Sequence, residues 1–139
     1  MCHNNNKKCL SLSSFSKLLN LENISLVMDG NVISPALKML PRLEKIFINC
    51  SGIVDISCLP ENLKDLQIVN SKMEDSEFKD ISRLTNLTNI KFNENNELTG
   101  EIFSHLTTLN KLKHLDLSNA KGLTGVNVEL LMGLEQLQS

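Results

Sequence analysis

Apolar residues recur along the chain in one spacing, in which a leucine is followed three and five positions later by two further aliphatic or aromatic residues. This L-x-x-L-x-L pattern begins at residues 21, 43, 63, 87 and 112, so successive units are 20 to 25 residues apart. A sixth unit begins with Leu134 and Leu137, close to the end of the sequence. Self-similarity at such an interval is typical of proteins built from stacked structural repeats.

Each unit predicts one short β-strand. Its last two apolar positions alternate with polar residues, as Leu115 and Leu117 do in "LKHLDL", so the apolar side chains share one side of the strand. A strand this short is not stable alone, but parallel stacking gives each backbone a neighbour and joins the apolar sides into one core. The predicted fold is α/β: a curved right-handed coil, with a parallel sheet on its concave side and short helices and loops on its convex side.

The segments between the predicted strands carry apolar residues at helical spacing. In "DSEFKDISRLTN", Asp75 or Ser76 is the expected cap, and the inward face consists of Phe78, Ile81 and Leu84. In "EIFSHLTTL" the corresponding face consists of Ile102, Phe103, Leu106 and Leu109. A third helix, capped by Asn127, is expected to bury Leu130, Leu131 and Leu134. The segment around Val54 is shorter and ends at Pro60, so its outer element is expected to be extended.

From Leu21 to Ser139 the pattern resembles the leucine-rich-repeat family, and the segment that begins "NNELTG" is similar to plant-type repeats. That family places an asparagine eight residues after the first leucine of a unit, where it binds backbone at the turn. Here only Asn95 occupies that position, and the others are Asp29, Ser51, Ser71 and Ala120. The resemblance implies an irregular leucine-rich-repeat solenoid. Serine hydroxyls or water are expected to form part of the hydrogen bonds that the backbone groups of its turns require. We expect residues 1–20 to be a mobile segment or the remnant of an earlier repeat, and residues 21–139 to form five units plus a truncated sixth.

Net charge and the length of apolar runs indicate which cellular compartment and which classes of partner to expect. The 139 residues carry a net charge of −2, which gives no reason to expect nucleic acid or an anionic membrane as a partner. No apolar run is long enough to span a bilayer or serve as a secretory signal, so a cytoplasmic location with reduced cysteines is expected if Met1 is the true start. Cys2, His3 and Cys9 lack the C-x-x-C spacing of a structural zinc site. No metal and no cofactor is expected.

A histidine–aspartate pair is the nearest approach to catalytic chemistry. His114 and Asp116 are two positions apart on one predicted strand, so their side chains point the same way. No serine or cysteine is placed to complete a triad, and neither a phosphate-binding glycine loop nor EF-hand spacing is present. We therefore interpret the pair as part of a polar binding surface and expect no enzymatic activity.

The outward positions of the predicted strands form a candidate binding surface, because a stack of strands presents a wide face at little conformational cost. Three rows cross it: Asn23, Lys45, Asp65, Asn89 and His114; Ser25, Phe47, Gln67, Lys91 and Asp116; and Val27, Asn49, Val69, Asn93 and Ser118. Most are polar, but an apolar patch of Val27, Phe47 and Val69 is rimmed by Lys45 and Asp65. The alternative is that Phe47 folds back or is covered by the N-terminal segment. The candidate partner-binding residues are Val27, Lys45, Phe47, Asp65, Gln67, Val69, Lys91, His114 and Asp116.

The resemblance implies a protein–protein interaction and ligand-recognition module, which binds a protein ligand or neighbouring domains of the same chain. Intracellular NOD-like receptors of innate immunity are the first family context, since irregular repeats, free cysteines and a missing secretory signal suit them. The alternatives are a fragment of an extracellular receptor ectodomain, favoured by "NNELTG", and a substrate-recognition adaptor of a ubiquitin ligase. Because the last repeat stops within its motif, we expect a piece of a larger protein, or self-association through an uncapped C-terminal edge.

Overall fold

The computed structural model describes residues 18–32, 35–123, 132 and 134–138. Within these residues, five parallel strands form one sheet whose spatial order follows the chain order. The strands are β1 (Asn23–Met28), β2 (Lys45–Cys50), β3 (Asp65–Val69), β4 (Asn89–Lys91) and β5 (His114–Asp116). A parallel sheet with short intervening helices is the α/β arrangement that the repeated spacing predicts.

Equivalent positions of successive units lie side by side in the sheet. One row of apolar residues crosses all five strands: Ile24, Ile46, Leu66, Ile90 and Leu115. This register follows from the period-two alternation, because a slip by one residue would turn every apolar side chain of a strand to the opposite face. The alignment of units predicted from their spacing is therefore confirmed.

Burial of this row is deepest in the middle of the stack. Ile46, Leu66 and Ile90 are each at most 2% exposed. Ile24 and Leu115 are only half-buried, because β1 and β5 each have a strand neighbour on one side only among the described residues. The terminal strands thus keep apolar surface that the inner strands have covered.

Short helices connect the strands and contact one another in a second layer. In the described ranges they comprise three 3₁₀ helices (Pro35–Met39, Ile56–Cys58 and Asp75–Arg83) and one α-helix (Ile102–Leu106). The two predicted inward faces are confirmed, since none of their residues is more than 5% exposed: Phe78, Ile81, Leu84, Ile102, Phe103, Leu106 and Leu109. Of the third predicted helix, the cap Asn127 and the residues Leu130 and Leu131 lie outside the described residues, whereas Leu134 is described and is buried, as predicted. In the described part of the chain, none of the helices has the length and apolar character needed to cross a membrane.

The outer element of the second unit is predicted to be extended, and the structure bears this out only for its first part, where Val54 forms an isolated parallel bridge with Val32. The following residues form the short 3₁₀ helix Ile56–Cys58. Asp55 caps this helix, because its Oδ1 accepts a hydrogen bond from the backbone N–H of Ser57 at 3.0 Å. A local side-chain cap therefore decides the conformation before Pro60 ends the element.

The cap predicted for the next helix is wrong. Glu74 precedes the helix Asp75–Arg83 as its N-cap, and its backbone N–H donates to Oε2 of Glu77 at 2.7 Å. Asp75 is instead buried, and its carboxylate accepts hydrogen bonds from the Thr99 N–H at 3.2 Å and the Thr99 hydroxyl at 2.5 Å. Instead of capping its own helix, Asp75 therefore forms hydrogen bonds with the following unit.

The turns after the strands are held by a partial polar ladder. Asn95 is fully buried, and its Nδ2 donates to the backbone carbonyl of Ile68 at 2.9 Å. The hydroxyl of Ser71, at the equivalent position of the preceding unit, donates to Oδ1 of Asn95. One unit earlier, Oγ of Ser51 accepts from the N–H of Gly30 at 3.0 Å. Serine hydroxyls therefore satisfy part of the turns where asparagine is absent, as the sequence predicts.

Candidate functional site

The candidate site is the side of the sheet that faces away from the core, here called the open face. It comprises two complete rows and one partial row: Asn23, Lys45, Asp65, Asn89 and His114; Ser25, Phe47, Gln67, Lys91 and Asp116; and Val27, Asn49 and Val69. The strand register brings together the residues of both complete predicted rows. The third row stops at Val69, because β4 and β5 end before Asn93 and Ser118.

Val27, Phe47 and Val69 form the apolar patch of the open face. Val27 is 74% exposed, whereas Phe47 and Val69 are half-buried. Val27 and Val69 lie opposite Asn49 from the two neighbouring strands, and Phe47 precedes Asn49 by two residues on β2. The structure thus places the three residues on adjacent strands of one face, and Phe47 is neither fully exposed nor a core residue.

The predicted rim of the patch consists of Lys45 and Asp65, which are opposite one another on β2 and β3. Asp65 is half-buried, and its Oδ1 accepts a hydrogen bond from Nε2 of Gln67 at 3.1 Å. Lys45 is exposed and forms no ion pair with any described residue. The patch is therefore bordered by a cation that forms no ion pair with a carboxylate in the described part of the chain.

The opposite end of the open face is polar. Asp116 on β5 accepts hydrogen bonds from the Ser118 N–H at 3.0 Å and from Nδ2 of Asn93 at 3.2 Å, and it forms an ion pair with Nζ of Lys91 at 3.5 Å. His114 is exposed on the same strand. Sequence reasoning missed Asn93 and Ser118 as the groups that hold this carboxylate, although both were assigned to the third row.

These contacts predict that Asp116 titrates at unusually low pH. The pKa of Asp116 is lowered to about 2, chiefly by the hydrogen bond from the Ser118 backbone; partial burial opposes this shift, and the side chains of Ser118, Asn93 and Lys91 contribute to it. Because the folded-state pKa lies below the unfolded value of about 3.9, the stabilisation is complete above that value and is lost as the pH falls towards 2. An NMR titration of the Asp116 carboxyl carbon should show a midpoint near 2.

Two variants separate the contributions to this midpoint. Lys91→Met removes the ion pair, and Asn93→Ala removes one hydrogen bond. Each should raise the Asp116 pKa, and the Lys91 contribution alone should weaken strongly with added salt. A wild-type midpoint near the ordinary aspartate value would contradict the network.

A groove of about 520 Å³ lies beyond the carboxyl ends of β3, β4 and β5, and sequence reasoning missed it. Its lining includes three residues with left-handed backbone, Asn70, Glu94 and Asn119, with φ of 57°, 60° and 62°. Each follows the first leucine of its unit by seven positions. Asparagine tolerates this conformation, and its presence at two of the three positions, Asn70 and Asn119, was the available sequence signal. Lys72, Lys121 and Glu97 add charges of both signs to the groove.

The two described cysteines are buried structural thiols. Cys50, at the end of β2, is a free thiol, and Cys58 lies in the 3₁₀ helix Ile56–Cys58. Burial raises the pKa of the Cys50 thiol, although a hydrogen bond to the Gly52 backbone partly opposes this. The Cys58 thiol donates to Oδ2 of Asp55 at 3.3 Å. Among the described residues, no three histidine, cysteine, aspartate or glutamate side chains are grouped to hold a metal ion. Cys2, His3 and Cys9 lie outside the residues that the structure describes.

The sequence matches no model of a known protein family. It also matches no curated protein significantly. Functional inference therefore depends on the repeated strand geometry and on the chemistry of the open face.

Proposed function

We propose that this chain is a protein-recognition module whose open face binds a protein partner, and that its units form a leucine-rich-repeat solenoid. The solenoid proposal is supported by five parallel strands that follow chain order and by equivalent residues aligned across them. The repeated turn contacts of Ser51, Ser71 and Asn95 support it further. Stacked repeats of this kind use wide, pre-formed surfaces for recognition.

The observation that carries the proposed function is the apolar patch on an otherwise polar open face. Side chains exposed as a group on adjacent strands tend to mark contact surfaces, and aromatic residues contribute much of the binding energy at such surfaces. Phe47 lies within the patch, and Lys45, which forms no ion pair with a described residue, lies at its border. The partner is a protein ligand or a neighbouring domain of the same polypeptide.

We further propose an intracellular setting of the innate-immune receptor type. Cys50 is a buried free thiol, which is typical of proteins in a reducing compartment. An extracellular receptor ectodomain is the second candidate, favoured by the buried Asn95 of the plant-type-like segment. Fractionation of cells that produce the natural protein distinguishes them: cytosolic protein supports the first, whereas secreted protein with a glycan on the exposed Asn23 supports the second.

A pair of matched variants tests the proposed binding surface. Phe47→Ser removes the aromatic residue of the patch, and Met39→Ser removes a 68% exposed side chain of the 3₁₀ helix Pro35–Met39, away from the open face. Affinity capture with the full chain should recover a protein that wild type and Met39→Ser retain and Phe47→Ser loses. With that protein purified, Phe47→Ser should weaken binding about tenfold or more. Identical capture by all three forms would contradict the proposal.

A further inference from the structure

The outer edge of β1 lacks a strand neighbour among the described residues. Its core-facing residues show the consequence: Ile24 and Met28 are half-buried, whereas Ile46 and Cys50, opposite them on β2, are each 1% exposed. β2 therefore covers the core-facing side chains of β1 from one side only, and their other side is partly exposed to solvent. Another strand beside β1 would remove this apolar surface from water.

The described residues of this edge carry none of the sequence features that usually prevent strands from pairing. The six residues of β1 read "NISLVM" and include no charged residue and no proline. Natural sheets commonly protect an edge with lysine, proline, a bulge or a very short strand. β1 is as long as β2, and each of its residues is paired with β2 in regular register. The edge is thus suited to accept a further strand.

We propose that a second copy of this chain pairs with it, β1 against β1, antiparallel about a twofold axis through Leu26. Directly opposite residues of an antiparallel pair lie on the same face. In this register Leu26 meets Leu26 of the second copy and Ile24 meets Met28 of the second copy, so the half-buried apolar rows of the two chains join. On the other face, Ser25 meets Val27 of the second copy.

β1 is suited to pair with β1 of a second copy, because its pattern of apolar residues is self-complementary. Ile24, Leu26 and Met28 are symmetric about the proposed axis, and no like charges are brought together when an uncharged strand meets itself. Leu18 and Leu19, which precede the strand, are 40% and 55% exposed and add apolar surface near the edge. At the other end of the sheet, the Gln138 N–H already donates to the Lys113 carbonyl at 2.7 Å. The pairing is independent of the proposed partner binding, because it needs only purified chain.

Sedimentation equilibrium from about 1 µM to about 1 mM tests this pairing. The edge variant Ser25→Lys/Val27→Lys places like charges opposite one another on the exposed side of the strand. Thr107→Lys/Thr108→Lys is the matched control, since it adds the same charge at exposed positions after the α-helix Ile102–Leu106. Wild type and control should form a closed dimer, and the edge variant should raise its dissociation constant about tenfold or more.

Three results would overturn the proposal: a wild-type chain that stays monomeric, oligomers larger than a dimer, or an edge variant that dimerises as tightly as the control. Should the edge variant fail to fold by circular dichroism, hydrogen exchange of the wild type decides the question. The amides of β1 must then become better protected as the protein concentration rises, while those of β3 change little. Unchanged protection of β1 would overturn the pairing.

Discussion

Replacing Leu66 with aspartate should leave the chain unfolded at neutral pH. Leu66 lies in the middle strand β3 with no exposed surface, between Ile46 and Ile90 of the neighbouring strands. Loss of a buried leucine costs about 2–5 kcal/mol, and an unpaired carboxylate in the core costs several kcal/mol more. Together these approach the whole stability of a typical domain, about 5–15 kcal/mol. Circular dichroism and the dispersion of the amide NMR spectrum measure the outcome.

Val69→Asp is the matched control for this substitution. Val69 is an aliphatic residue of the same strand, but it faces outward and is half-buried. Its replacement should cost about 1 kcal/mol and leave a folded, cooperative protein. If the Leu66 variant folded as well as the Val69 variant, the assignment of the two faces of the sheet would be wrong.

Phe78→Ala should destabilise the fold by about 3–5 kcal/mol. Phe78, in the helix Asp75–Arg83, and Phe92, immediately after β4, are both fully buried, and their ring centroids are 4.7 Å apart. The contact joins the helical layer to the sheet, so its loss leaves a cavity between the two layers. Urea-induced unfolding monitored by circular dichroism measures the change in the free energy of unfolding.

Phe47→Ala provides the comparison, because the same atoms are removed from the open face. Phe47 is half-buried, so its truncation should cost only about 1 kcal/mol. A loss as large as that of Phe78→Ala would show that Phe47 belongs to the core and would remove it from the candidate binding surface.

The strand pairing could be predicted from the sequence because two periods coincide. Alternation within each unit determines which side chains share a face, and the return of the pattern after 20 to 25 residues determines which residues are equivalent. The pairing of Lys45 with Asp65 and of Lys91 with Asp116 follows from these two periods alone. The role of the open face in binding stays a prediction.

Contacts between units could not be predicted in the same way. Asp75 has the sequence context of a helix cap, yet its carboxylate is buried against Thr99 of the next unit. Asn93 was placed in a row of strand residues, yet it lies beyond the end of β4, where it donates to Asp116 of the next unit. In each case a polar side chain could bond either to a group nearby in the sequence or to a group in another unit. The sequence does not show which of the two bonds forms.

By itself, then, the sequence determined that five units each form a strand in the described part of the chain, and that these strands are parallel and follow chain order. It also determined which side of each strand faces the core and which side is open. The reason is that regular spacing of apolar residues leaves one efficient way to bury them. Tertiary structure alone decided how far each position is buried. Leu66 and Ile24 occupy equivalent places in their units, but among the described strands only that of Leu66 has a neighbour on both sides. Burial depends on neighbours in space, and so the half-covered edge of β1 became visible only in the folded chain.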